Sequence, residues 1–231
     1  MKKCLTFSYD DGVVEDIRLI ELLTKYDMKG SFNLNSGLFG IYKEFVQGNT
    51  IVKHQRIKEA DIRHVYDGQE VAVHTVTHAN LGIIHDREII IKEVEEDRKR
   101  LEELLSYEIV GMAYAGGGVN YNDVASEVIK KDTKVKYART NRSSYNFDFP
   151  ENVYQFHATI RHSEMEKLFE LGEAFLKMKA DTPKIFSVWG HSYEFEQRKD
   201  WGQFEEFLQM MSGKEDICYC TNREALLEVY V

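Results

Sequence analysis

The chain has 231 residues, 43% of them hydrophobic, which is enough to bury a sizeable core and makes one α/β-barrel-sized domain the default. Its formal charge of −9, with no basic block, excludes the electrostatic footprint of a nucleic-acid or anionic-membrane binder. Three cysteines (Cys4, Cys218, Cys220) cannot make a disulfide framework, and Cys218-x-Cys220 in an apolar run reads as buried thiol.

In chain order, Lys3 to Tyr9 reads as a strand that runs straight into Asp10-Asp11-Gly12. Val14 to Asp27 carries a helical stripe through Ile17, Ile20 and Leu23, and Ser31 to Asn35 alternates as a strand. A short helix at residues 57–66 precedes the strand Glu70–Val73, which ends at His74-Thr75-Val76-Thr77-His78. Asp86 to Ser106 is the clearest helix, with Ile90, Val94, Leu101 and Leu105 on one face and charged residues, expected to be solvated, on the rest. Residues 109–114 form a strand ending in Ala115-Gly116-Gly117-Gly118, followed by a helix at 122–131 and strands at 136–138 and 154–156. A helix at 163–179, a buried strand at 184–189 ending at Gly190-His191, a helix at 201–211, a strand at 216–220 and a helix at 222–229 complete the pattern. Seven or so strands alternating with helices predict a mainly parallel α/β sheet, flat or closed, with no repeat, low-complexity stretch or linker.

The chemistry lies at strand ends, where barrels and open α/β sheets place it. Two His and one carboxylate hold a divalent cation and leave positions open, which suits Zn²⁺ and also Co²⁺, Fe²⁺, Mn²⁺ or Ni²⁺. Asp11 is the natural third ligand beside His74 and His78, because two adjacent carboxylates crowd one small inner sphere; Asp10 is then free as a base. A metal lowers the pKa of water from ~15.7 towards ~7, so a carboxylate suffices for that role. His191, at another strand end with an ordinary pKa near ~6.5, is placed to protonate a departing amine. His157 and His162 are five apart, face different directions, and read as rim or structural residues. Trp189 and Tyr193 could stack on a sugar ring, although core packing explains Trp189 equally well.

Three segments, Thr6 to Gly12, His74 to His78 and Val188 to His191, resemble the first, second and fifth motifs of the polysaccharide deacetylases. These are the nodulation-protein-B-like, family-four carbohydrate esterases, and the resemblance spans residues 3–195. It implies a single-domain, distorted (β/α)₇ barrel that removes N-linked acetyl groups from an amino sugar with one bound divalent metal. Matched position by position, Asp10 becomes the base, Asp11, His74 and His78 the ligands, and His191 the acid. The sequence departs from the family in two places. The third motif, Arg-x-Pro-Tyr/Phe-Gly, is here Ala113-Tyr114-Ala115-Gly116-Gly117, so Gly116 and Tyr114 are the oxyanion and substrate candidates. The missing arginine is expected from Arg139, another strand-end residue. The fourth motif, Asp-x-x-x-Trp, has no match; Asp148 is nearby without the tryptophan.

The partner implied is a carbohydrate or another small molecule, with cyclic ureide or imide opening, or non-catalytic carbohydrate binding, as alternatives. The first strand begins at Lys3, with no apolar leader before it, and no run approaches the ~20 residues that span a bilayer, so a cytoplasmic location is expected.

Overall fold

In the computed structural model, which describes residues 2–47 and 50–229, strands and helices alternate along the chain. The order is β1 (Lys3–Asp10), α1 (Asp16–Lys25), β2 (Ser31–Leu34), the β3–β4 hairpin (Tyr42–Gln47 and Thr50–Gln55), α2 (Glu59–Val65), β5 (Glu70–Val73) and α3 (Arg87–Leu105). There follow β6 (Gly111–Ala113), α4 (Asp123–Asp132), β7 (Tyr137–Ser143), β8 (Phe156–Ala158), β9 (Ile160–Arg161) and α5 (Met165–Lys177). The rest comprises β10 (Lys184–Gly190), α6 (Tyr193–Arg198), α7 (Trp201–Met211) and β11 (Ile217–Tyr219).

The sheet runs β8-β7-β6-β5-β2-β1-β10-β9, with β11 also on β1, and its pairings are parallel. The two ends of this path are neighbours in sequence. β8 pairs with β7, one residue passes, and β9 pairs with β10, so residues 156–161 close the sheet on itself as a distorted barrel. β1 lies between β2 and β10 and is buried at all eight residues, which is why it reads as a largely apolar run. The flanking helices are set by local signals. Asp86 caps α3 by accepting from the N–H groups of Glu88 (2.9 Å) and Ile89 (3.3 Å), and Asn122 caps α4 through Ala125 N–H (2.8 Å). The core packs between helices and barrel, with Phe186, Phe204 and Phe207 joined edge-to-face and offset.

Several expectations shift. Tyr42–Gln47 and Thr50–Gln55 pair as antiparallel strands that periodicity does not mark, because much of their surface is exposed. The strand expected at 136–138 extends through Ser143, and the one at 154–156 is displaced to β8 by a 3₁₀ turn at Val153–Gln155. The final helix is a five-residue π-type turn, Glu224–Glu228, and α6 is an additional helix after His191. The charged face of α3 is not wholly solvated: Asp97 and Arg98 are buried.

Candidate active site

Parallel strands leave their C-terminal ends at one mouth, and there the structure gathers Asp10, Asp11, His74, His78, Tyr114, Gly116 and His191 around a cavity of about 660 Å³. Arg139 lies beneath its floor, fully buried.

The two adjacent aspartates have different surroundings. Asp10 accepts from Asn33 Nδ2 (2.8 Å) and from the Arg139 guanidinium, whose Nε also donates to Ser8 Oγ (2.9 Å). Burial would raise the Asp10 pKa, but Arg139, and then His74 and His191, override it and hold the carboxyl below its usual range. Arg139 sits on β7 directly opposite Ala113 on β6, so the guanidinium comes from one strand over at the same level as the family's third-motif arginine. Its guanidinium also lies 4.8 Å from the Trp189 ring centroid, which fixes the plane of both groups.

Asp11 turns the other way. The chain enters the left-handed region there (φ 83°), and again at Thr75 (64°) and His78 (62°). Such strain, of order 1–3 kcal/mol per residue, persists where the surrounding fold over-determines it. It brings Asp11 Oδ1 to 3.3 Å from His78 Nε2 and 3.9 Å from His74 Nε2. His74 Nδ1 lies 2.9 Å from the Ala113 carbonyl, which leaves Nε2 free to face the cavity as a candidate ligand atom. Burial pushes the His74 pKa down to about 4, so the imidazole is neutral with its lone pair available. One carboxylate oxygen and two imidazole nitrogens, all within 4.8 Å of one another, fit a single divalent cation.

His191 closes the far side, with Nε2 3.9 Å from Asp11 Oδ2 and Nδ1 3.5 Å from Glu194 Oε1. Burial would lower its pKa, but Glu194 and Asp11 outweigh it and the pKa rises. Glu194 is itself buried, bonded to Arg161 and 3.2 Å from His162 Nε2. His162 is fully buried, stacked on Phe195 with centroids 4.1 Å apart, and occupies the space that a side chain at Gly190 would need: a Cβ there would meet His162 Nδ1 at 2.3 Å. His157 bonds Thr140 Oγ1 (2.6 Å) and lies apart from the ligand cluster, and Asp148 pairs with Lys184 at the opposite end of β10.

Tyr114 lines the cavity, but its hydroxyl donates to the Tyr154 carbonyl (2.9 Å); Gly116, at φ 93°, turns the glycine loop over the site. Trp189 and Tyr193 also line it.

Sequence reasoning missed His54, Arg56, Asp97 and Glu194. The hairpin brings His54 Nε2 to 3.1 Å from Asp11 Oδ2, and Arg56 to 3.1 Å from Asp11 Oδ1. Burial raises the Asp11 pKa, yet His54, His78, His191 and Arg56 together hold it well below the usual carboxylate range. Asp97 of α3 accepts from the backbone N–H groups of Ser36 (2.6 Å) and His74 (3.0 Å), fixing the loop that carries the first imidazole. The signal for the hairpin was Gly48-Asn49 between two β-rich runs, a recognised hairpin dipeptide. Glu194 had a signal too, three residues beyond His191.

The fold is similar to that of the chitin deacetylase from Colletotrichum lindemuthianum (TM-score 0.61, 16% identity, 97% of this chain and 88% of that one). It is similar also to a CE4 family pseudoenzyme from Bacillus anthracis (TM-score 0.59, 16% identity, 98% of this chain and 66% of that one). A third likeness is to a family 4 acetyl xylan esterase from Clostridium thermocellum, solved with a cobalt ion (TM-score 0.56, 12% identity, 96% and 89%). Several solved relatives are longer, and this chain spans 55%, 44% and 66% of three of them. No curated protein matches the sequence. Identities this low speak for the fold alone, whereas the polysaccharide deacetylase family model matches residues 1–137 directly, from the strand carrying both aspartates to the start of β7. On that match, and on the barrel that bears it out, the chain belongs to the polysaccharide deacetylase family.

Proposed function

We propose that the chain is a single catalytic domain that hydrolyses the amide of an N-acetylated amino sugar. The observation that carries this reading is the divergence of two neighbouring carboxylates: Asp11 faces the imidazoles of His54, His74 and His78 beside the Arg56 guanidinium, whereas Asp10 has the Arg139 guanidinium and the Asn33 amide as its side-chain hydrogen-bond partners among the described residues. A binding module needs no such division of labour. A divalent metal held by Asp11, His74 and His78, Zn²⁺ or Co²⁺ among the candidates, would supply Lewis-acid polarisation and a more acidic water.

The chain's own residues do the rest. Asp10, ionised and oriented by Arg139 and Asn33, accepts the proton of the attacking water as its oxygen adds to the acetyl carbon. The glycine loop at Gly116 lies over the carbonyl side, where a backbone N–H can meet the developing oxyanion. His191, whose pKa Glu194 and Asp11 raise against the effect of burial, gives its proton to the sugar nitrogen as the C–N bond breaks and acetate leaves. His54 and Arg56 occupy the remaining faces of Asp11 and keep its carboxylate turned toward the ligand imidazoles.

The test is acetate release from N-acetylglucosamine oligomers by the Zn²⁺- or Co²⁺-loaded protein, with metal content measured in parallel. His78→Ala should lose both metal and turnover. Asp10→Asn should keep the metal and lose roughly 10²–10⁴ in rate, the usual share of a general base. A near wild-type rate for Asp10→Asn would remove Asp10 from the mechanism.

A further inference from the structure

The cavity is cationic in a chain that carries net negative charge. Its lining holds two carboxylates, Asp10 and Asp11, both at the floor, against four cationic side chains, Lys43, Arg56, Arg142 and Arg161. Three of the site's anions are each matched to one arginine: Asp10 to Arg139, Asp11 to Arg56, and Glu194 to Arg161. After that matching, Lys43 on the hairpin side and Arg142 on the β7 side remain, with no carboxylate partner among the described residues. Both are exposed at the mouth. Arg142 lies over the Tyr121 ring, 5.6 Å from its centroid, so its guanidinium is held in place by an aromatic face. A divalent cation on Asp11, His74 and His78 would make the site more positive still.

Fields of one sign focused in a cleft select ligands of the other sign. Resting on the hydrolase reading above, the geometry points to a substrate that carries a negative charge as well as its N-acetyl group: a small N-acetylated sugar bearing a phosphate, sulfate or carboxylate, which Arg142 and Lys43 engage at the mouth. A guanidinium matches such oxyanions in bidentate fashion, while the lysine supplies a point charge. A cavity of about 660 Å³ is of the size that encloses a small ligand, which favours a mono- or disaccharide.

The test compares N-acetylglucosamine with N-acetylglucosamine 6-phosphate, N-acetylglucosamine 6-sulfate and N-acetylmuramic acid, by calorimetry and by acetate release, on the full chain loaded with Zn²⁺. At least one anionic form should bind about tenfold tighter than the neutral sugar or more, a difference that shrinks as salt rises and the charges are screened. Which form wins identifies the anion. In the double variant Lys43→Gln/Arg142→Gln that preference should fall towards unity. Neutral and anionic sugars binding alike would overturn the proposal. So would a preference that survives in the double variant, because it would place the anion on the metal. Tight anion binding, lost in the double variant, without acetate release from any sugar would keep the anion-binding mouth but sink the hydrolase reading and with it the claim that the anion is a substrate. Acetate release from the neutral sugar with equal kcat/KM would do the reverse.

Discussion

In the proposed mechanism Arg139 tunes the base of one proton transfer and Glu194 the acid of another, and their removal should narrow the pH–rate profile from opposite sides. Burial alone would raise the Asp10 pKa, and Arg139 is the principal charge opposing it. In Arg139→Ala that opposition goes, the Asp10 pKa rises, and the acidic limb of kcat/KM moves to higher pH. The loss of positioning should cost roughly 10- to 100-fold in kcat. For His191 burial lowers the pKa, and Glu194 and Asp11 raise it. Glu194→Gln should therefore lower it, so that the acid deprotonates sooner and the alkaline limb moves to lower pH. Rate profiles of the two variants check both shifts, and limbs that stay fixed would show that neither residue tunes the reacting groups. Asp10, Asp11, His74, His78 and His191 were legible in the sequence, because residues at or just past a strand end need only the strand to be recognised, whereas Arg139 reads as a strand-end residue but stands inside β7, which continues to Ser143. His54 and Arg56 were not legible, since the exposed hairpin that carries them is placed by long-range packing of Val13, Val52 and Tyr193. Asp97 was hidden by its own helix, where one acid among many looks like solvated surface.

At the scale of elements, the β6–β7 pairing makes a further variant informative. Ala113 and Arg139 are parallel register partners, so their side chains leave the sheet on the same side and point into the same space. Ala113→Arg alone would place a second guanidinium in the buried floor, costing roughly 3–5 kcal/mol if it finds no partner. Combined with Arg139→Ala, it would stand where one guanidinium is already accommodated. The double variant should exceed the Ala113→Arg single variant in Tm and the Arg139→Ala single variant in kcat. Thermal melts and turnover measured on all three decide the point; no gain in the double variant would mean that the two strands are not interchangeable. The sequence predicted the alternation of elements well but not their ends. β7 runs past Arg139 with a register shift before Ser143, and that irregularity has no periodic signature.

Over the whole molecule, two buried carboxyls far from the mouth's solvent give stability a pH slope. Asp16 accepts from the Ser192 hydroxyl (2.6 Å) and the Tyr66 hydroxyl (2.7 Å), joining α1, the corner after β10 and the end of α2. Burial pushes its pKa up to about 7, as it does for Asp97. An unfolded aspartate titrates near ~3.9, so between there and about 7 the folded chain holds protons that the unfolded chain has released. Stability should therefore fall as pH rises from about 4 to about 7, and then level off. Melts of the wild type and Asp16→Asn across that range check this, the variant having the shallower slope; equal slopes would mean that Asp16 is ionised throughout.

β1 has one more consequence, and it concerns time. Lys3 to Tyr9 pair with Lys184 to Gly190, partners about 180 positions downstream. At synthesis rates of about 5–20 residues per second, β1 emerges roughly 10–40 s before β10, the strand that pairs with it from Lys3 to Tyr9. During that interval β1 presents an apolar, unpaired edge, the feature that templates aggregation. The segment 1–137 holds both aspartates and both ligand histidines, yet lacks β10, β11 and Arg139. A nascent chain of that length has the proposed metal ligands in hand, while one edge of its central strand still waits for β10 and β11 in the last third.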